Sequence, residues 1–242
     1  MPVIQVVGES SRDVFVYCEA TRLAPDLPVP VLLELRTESN PGMAANVYRN
    51  IKTKVSDSEL ITNQGWSEIT KTRYVHDESN HLFLRVDKSH EIEPLDFSDL
   101  KLDSEVLVVS DYNKGYLSES LIEQICNSHN RVFLDTKKVL GPWAEKAFFI
   151  KINSHEYTKS HSFITEAMMD KLIVTRGSEG CDFRGRNYPV EKVFVRDTSG
   201  AGDSFLAALV SEFLICSDIV QSIKVANSSA TSVVKVRGVG VI

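Results

Sequence analysis

From Val106 onward, short β-branched runs alternate with stretches of helical period. VLVVS (106–110), RVFLD (131–135), FFIKI (148–152) and KLIVT (171–175) predict strands, with helices over 118–128, near 142–147 and over 162–169 between them. Continuous apolar strands separated by helices are the pattern of a parallel sheet covered on both faces, with right-handed crossovers. VIQVV (3–7) reads as another such strand. VFVRD predicts one more, ending at Asp197, before the turn TSGAGD and a helix through SFLAALVSEFL. The intervening segment has a different rhythm. PVPVLLELR (28–36), TRYVH (72–76) and HLFLRVD (81–87) predict a small antiparallel sheet, in which Leu82, Leu84 and Val86 share one face while Arg85 and Asp87 share the other. So few strands cannot stand alone. They predict a lid, with elements at about 12–37 and 70–88, over the strand ends where open α/β sheets bind ligands, or a surface that pairs with a second copy.

Composition narrows the class. A chain of 242 residues, 43% hydrophobic and 25% charged, fits one α/β domain over 1–242 with ample core. The formal charge of −6, without a dense Lys/Arg cluster, argues against nucleic acid as a partner. Cys18, Cys126, Cys181 and Cys216 lie far apart, which predicts reduced thiols rather than a zinc site. The six histidines show no metal-ligand spacing either. MPVIQVVGES lacks the basic start and long apolar run of a signal peptide, and the longest mainly apolar tract, 207–216, is interrupted by Ser211 and Glu212. The expectation is a cytoplasmic protein that does not enter a membrane.

The stretch VRDTSGAGDSFLAALV (195–210) concentrates the chemistry. Gly200 and Gly202 allow close approach of backbone to a ligand. The free N–H groups of the following helix, with its dipole, suit a phosphate. Asp203 would then be an unfavourable neighbour for that anion unless it takes the proton of the group attacking it, as a kinase base does; the plain alternative is a helix-start charge. The P-loop and protein-kinase patterns are absent.

DTSGAGDSF resembles the C-terminal signature D-T-x-G-A-G-D-x-F of the PfkB (ribokinase-like) carbohydrate kinases, and the resemblance runs through most of the chain. RLAPDLPVPV (22–31), PGMAANV (41–47), SDYNKG (110–115), LDTKK (134–138), INSHE (152–156), VTRGSEG (174–180) and ANSSA (226–230) are similar, in order, to segments of the heptose-7-phosphate kinase branch. That branch often forms the N-terminal half of bifunctional ADP-heptose synthesis proteins. The resemblance implies a ribokinase-like fold: a mainly parallel central sheet flanked by helices, with a small antiparallel β lid. It also implies transfer of the γ-phosphoryl group of ATP, with Mg2+, to a sugar-phosphate hydroxyl. A homodimer joined through the lid is expected because the strands at 28–36 and 72–87 are too few to hide their apolar face.

Roles follow from the same resemblance. Asp203 becomes the base, and the amides of Gly200, Ala201 and Gly202 the anion hole. Asn153 and Glu156 would hold magnesium through its waters, although the same spacing fits a helix N-cap with its partner glutamate. Lys137 would offset phosphate charge. Thr175, Arg176, Gly177 and Gly180 would border the nucleotide, with Asn227 near the base; a plain strand-to-turn reading of TRGSEG also fits. On the sugar side stand Asp13, Gly42 and Asn46, with Lys71, Arg73 and Arg85 as candidate phosphate ligands on the lid strands. Asp111 and Lys114 are either substrate contacts or a buried hydrogen-bonded turn.

The chain departs from the pattern in three places. Glu9 stands where the family has Asp, Met43 replaces the second glycine of G-G-A-A-N, and only a short stretch separates Asn50 from Trp66. The phosphate side is therefore closer to the family than the substrate side. Besides the heptose kinase, the sequence admits another PfkB-type kinase, or a relative that binds a sugar phosphate or nucleotide without turnover. No nucleotidylyltransferase segment follows Ile242, so adenylylation is expected from another chain.

Overall fold

The computed structural model describes residues 2–240. Eight strands form the main sheet: β1 (Ile4–Gly8), β4 (Ser58–Ile61), β7 (Val106–Asp111), β8 (Val132–Thr136), β9 (Phe149–Asn153), β10 (Leu172–Thr175), β11 (Cys181–Phe183) and β12 (Arg186–Tyr188). Their order is β12-β11-β10-β9-β8-β7-β1-β4. The pairs from β4 to β10 are all parallel, and β11 and β12 append an antiparallel hairpin. Alternation along each strand feeds two cores. Val106, Val108 and Phe133 face α1 (Ala44–Lys52), α5 (Ala201–Cys216) and α6 (Ile219–Val233). Leu107, Val109 and Leu134 face α2 (Glu119–Ser128) and the segment carrying Trp143 and Met168. The apolar tract at 207–216 lies in α5, a helix buried on nearly every side through Phe205–Val210.

The second sheet has four strands in the order β3-β2-β5-β6: β2 (Ser10–Leu23), β3 (Pro30–Met43), β5 (Thr70–His76) and β6 (Leu82–Lys88). Strands β2–β3 and β5–β6 pair antiparallel, and β2 and β5 run parallel to join the two hairpins. Phe15, Tyr17 and Val75 pack with Val239 beneath this sheet. The expectation that Leu82, Leu84 and Val86 share one face is corrected: Leu84 and Val86 do, opposite Tyr74 and Thr72, but a one-residue register shift pairs Leu82 with Val75 and turns it to the other face. All three, with Leu33 and Leu35 of β3, are exposed to solvent.

Several local expectations are corrected. VFVRD forms no strand: Phe194 is 84% exposed, and the backbone N–H of Arg196 reaches the Val234 carbonyl at the end of α6 instead of a ladder. The helix expected near 142–147 is a single 3-10 turn at Pro142–Ala144, opened by Gly141–Pro142. The helix expected over 162–169 divides into a 3-10 turn at His161–Phe163 and a short α4 (Glu166–Met169). The longer helix lies earlier as α3 (Ser154–Ser160), because Asn153 caps it.

Gly8 closes β1 against β7. A Cβ there would fall on the Ser110 carbonyl oxygen and 3.1 Å from the Ala44 Cβ. Gly8→Ala should therefore cost about 3 kcal/mol through overpacking against backbone. In a chain of this size that corresponds to a melting temperature lowered by roughly 6–12 °C, readable by thermal denaturation.

Candidate active site

The parallel strands end along one edge of the sheet, and α5 begins above it. Gly200 caps that helix at φ 77°, and a Cβ there would lie 2.8 Å from Asn46 Nδ2 and 3.0 Å from Val239 Cγ1. Only glycine meets both demands. The first-turn amides of α5 have no acceptors within the helix, which leaves an electropositive cradle above the strand ends. Asp203, 7% exposed, sits in that turn. Asn46 Nδ2 donates to its Oδ2 at 2.8 Å, and the Tyr112 hydroxyl donates to its Oδ1. Burial raises the Asp203 pKa above the ordinary carboxylate value, against the pull of the Asn46 and Tyr112 hydrogen bonds and the Lys151 charge.

Both donors are themselves held. Asn50 Nδ2 donates to the Asn46 carbonyl at 2.8 Å and to its Oδ1 at 3.2 Å. Glu9, fully buried, accepts from the backbone N–H groups of Tyr112 (2.8 Å) and Lys114 (2.9 Å) and so fixes the turn after β7. The longer Glu side chain, in place of the family's Asp, is used to span that gap.

Beside Asp203 lies a cavity of about 490 Å³ that brings together Lys137, Asn153, Thr175, Gly177, Gly200 and Gly202, with Tyr112 and Lys151. Lys151 and Asp135, both nearly inaccessible, pair at 2.8 Å. Lys137 pairs with Glu156 at 2.7 Å and lies 3.8 Å from Asp135. Burial alone would lower the Lys137 pKa, but Asp135 and Glu156 hold it above the ordinary lysine value. Lys137 and Lys151 both line this cavity, each paired with a carboxylate.

Asn153 and Glu156 form a capping box. The Asn153 side chain accepts from Glu156 N at 2.9 Å, and Glu156 accepts from Asn153 N at 2.7 Å and from Asn153 Nδ2 at 2.8 Å. With the Lys137 ammonium also on Glu156, the carboxylate has little room for a bare cation. No group of three His, Cys, Asp or Glu among the described residues could hold a metal. The donors fit a magnesium ion that keeps its water shell and do not fit direct coordination.

A second cavity, of about 460 Å³, opens from Thr175 and Gly177 between the 190–195 loop and α6. It is lined by Gly180, Val193, Val195, Ala201, Phe205 and Asn227 among others. Its apolar walls suit a flat heterocycle. Asn227 donates to the Tyr188 carbonyl at 2.8 Å, tying α6 to β12 at the cavity wall. Arg176 turns to Asp182 across the β10–β11 pair and does not line either cavity.

On the lid side the expected cations are mostly engaged. Arg73 pairs with Asp13 at 2.7 Å, and a Cβ on Gly42 would lie 2.5 Å from Asp13 Oδ2, so these three residues form one packed cluster. Arg85 pairs with Asp87 at 2.9 Å on the exposed surface. Asp111 gives its oxygens to Lys138 Nζ (2.8 Å), Asn113 N (3.1 Å) and the Thr136 hydroxyl, which is the buried-turn arrangement. Lys71 and Lys114 line a third cavity, of about 290 Å³, with Lys88 and His90. Burial lowers the Lys71 pKa, with Asp13 opposing. Met43 stands at φ 60°, ψ −135°, a backbone region that glycine occupies freely, so the position retains a glycine's conformation without a glycine.

Tyr112, Asp135 and Lys151 are central here and were not among the expected site residues. Lys151 had a signal: a lysine inside the apolar run FFIKI must be paired if buried. Tyr112 and Asp135 lie within segments already marked by the family resemblance, but nothing in their spacing assigns them a partner.

Residues 119–241, just over half of the chain, match the model of the pfkB family carbohydrate kinases. The chain belongs to the PfkB family. Among relatives of this PfkB chain, the bifunctional protein HldE of Shewanella piezotolerans is 28% identical over 96% of the chain and 59% of that protein. That of Bradyrhizobium diazoefficiens is 24% identical over 98% and 60%, and that of Helicobacter pylori 27% over 97% and 63%. The chain thus spans about 60% of the length of the curated relatives it matches. The fold is that of solved ribokinase-like structures. The nucleoside kinase of Methanocaldococcus jannaschii superposes with a TM-score of 0.70 at 17% identity, covering 98% of this chain and 93% of that one. Phosphofructokinase-2 of Escherichia coli superposes at 0.69 and 13% identity, covering 98% and 94%.

The buried Asp135–Lys151 pair beside the PfkB chain's Asp203 cavity yields a stability test. Asp135→Asn leaves the Lys151 ammonium buried without its counter-charge, and should cost about 3–5 kcal/mol. The double variant Asp135→Asn, Lys151→Met removes both charges and should recover part of that loss, measured by denaturant unfolding.

Proposed function

We propose that this chain transfers the γ-phosphoryl group of ATP to a hydroxyl of a phosphorylated sugar, the anomeric hydroxyl of heptose 7-phosphate being the acceptor favoured. The observation that carries the reaction type is Asp203. It is a buried carboxylate in the first turn of α5, beside a cavity holding two lysines and the Gly200–Gly202 cradle. A pure binder gains nothing from a carboxylate facing a polyanion. The acceptor O–H gives its proton to Asp203 as its oxygen bonds the γ-phosphorus. The bond to the bridging oxygen breaks, and ADP leaves with charge that Lys137 and Lys151 offset. The α5 amides of Gly200, Ala201 and Gly202 would bind the transferring group. The apolar cavity beside Asn227 is the place for the base of the nucleotide.

Asn153 and Glu156 would hold magnesium through its waters, and that ion would screen the negative charge of the phosphate oxygens. For the acceptor, support comes from the ordered motifs shared with heptose-7-phosphate kinases and from the relatives named HldE. Asp13, Gly42, Asn46, Lys71, Arg73 and Lys114 would surround it, with Lys71 and Lys114 presenting charge to the lid-side cavity and Asp111 acting through the turn it holds; Arg85, paired with Asp87 on the exposed surface, is left out of this set. The cysteines, all free thiols, suit a cytoplasmic setting, where such thiols stay reduced. No helix of the described residues is long and apolar enough to cross a membrane.

The exposed apolar side chains of the lid, Leu33, Leu35, Leu82, Leu84 and Val86, support a homodimer joined lid to lid. Light scattering should return twice the chain mass, and a monomer at assay concentration would rule this out. For the reaction, Asp203→Asn preserves shape and helix-start hydrogen bonding but removes the base. kcat should fall by about 10²- to 10⁴-fold against a panel of sugars and sugar phosphates, while ATP affinity by calorimetry is retained. Turnover near the wild-type rate would remove Asp203 as base. A wild type that binds ATP but phosphorylates no sugar would favour the binding-only relative, which the short stretch between Asn50 and Trp66 also suits.

A further inference from the structure

Tyr112 follows β7 and points its hydroxyl at the Oδ1 of Asp203. Its ring lies between two ammonium groups, with Lys71 Nζ 5.5 Å and Lys137 Nζ 5.4 Å from the centroid. The ring therefore stands at the boundary of the lid-side cavity, which Lys71 lines, and the phosphate cavity, which Lys137 lines. Its backbone is pinned by Glu9. A phenol placed only to fill space would not need its one proton on the carboxylate of the reaction site.

We propose that Tyr112 is a positioning residue: its hydroxyl, on Oδ1 while Asn46 donates to Oδ2, keeps the Asp203 carboxylate ionised and fixed in the plane from which it accepts the acceptor's proton. Each carboxylate oxygen has two lone-pair sites, so one hydrogen bond on each oxygen leaves capacity for the incoming O–H. Donors to the charged form favour that form, and burial disfavours it. The groups facing Asp203 are Asn46 from α1, Tyr112 after β7, Asp135 from β8 and Lys151 from β9, with Lys71 of β5 and Lys137 at longer range. Of these, Asp135 and burial oppose ionisation, and Tyr112 and Asn46 are the two direct contacts that favour it. The Tyr112 proton stays on its own oxygen throughout: burial and the neighbouring Asp203 and Asp135 charges push its pKa far above the usual phenol value. It orients and does not relay.

The inference rests on Asp203 being the base, so its test reads the carboxyl directly as well as turnover. The protein is labelled with 13C at aspartate Cγ, and the Asp203 signal, assigned by its loss in Asp203→Asn, is titrated in wild type and in Tyr112→Phe. Loss of a hydrogen bond to a charged group displaces a titration by about one to two pH units. Asp203 should therefore titrate that much higher in Tyr112→Phe, and the acid limb of kcat/KM should rise by the same amount, with the rate recovering at higher pH. Site-specific 3-fluorotyrosine at 112, a stronger donor of nearly unchanged shape, should move both downward. An Asp203 signal that titrates alike in wild type and Tyr112→Phe overturns the inference, as does a rate loss equal at every pH, which is what a merely structural role gives. If Asp203→Asn retains full turnover while the signal still moves, the base assignment fails and the hydrogen-bond role stands.

Discussion

A buried carboxylate, Asp203, is the constraint around which the strand-end edge of this protein is arranged. Asp203 is largely withdrawn from solvent, so its oxygens are met by fixed donors, and each comes from a different part of the chain. Asn46 arrives on α1, Tyr112 on the turn after β7, and Lys151 supplies charge from β9. The helix start must be bare for Asn46 to approach, which is why Gly200 and not a larger residue caps α5. Asp135 balances Lys151, and that pairing keeps the second charge from destabilising the sheet beneath it.

Such convergence is possible because the parallel strands all finish on one side. β1, β7, β8, β9 and β10 end at Gly8, Asp111, Thr136, Asn153 and Thr175, and Tyr112, Lys137, Ser154 and Gly177, one or two residues beyond the last four, line the cavity beside Asp203. Short polar turns at those ends do the positioning, since the strands below are locked by apolar packing on both faces. The lid contributes differently. Its cations are largely neutralised by partners on its own strands, Arg73 by Asp13 and Arg85 by Asp87, which leaves Lys71 as the lid residue whose charge reaches Tyr112.

Much of this was legible in the residues. Buried strands such as VLVVS and KLIVT announce themselves because both faces are covered and no polar residue interrupts them. TSGAGD marks the helix start because its glycines and aspartate make little sense elsewhere. The strand β2 escaped because its one apolar run, Val14–Cys18, is short and sits between polar flanks at 10–13 and 19–22 that carry no strand signal. VFVRD misled for the opposite reason: its alternation is real, but its Phe194 faces water and no strand edge meets it. The partners of Asp203 were harder still, because a contact such as Tyr112 to Asp203, 91 residues apart, depends on register and topology and leaves no local trace.

Both borders of the main sheet are formed by very short strands, β12 with three residues and β4 with four. A border of that length offers few unpaired backbone groups in a row, so a neighbouring chain finds little to zip onto. The longer strands of this sheet, with their dense β-branched sequences, stay interior. The architecture therefore protects itself against strand-by-strand fibre growth by where it stops.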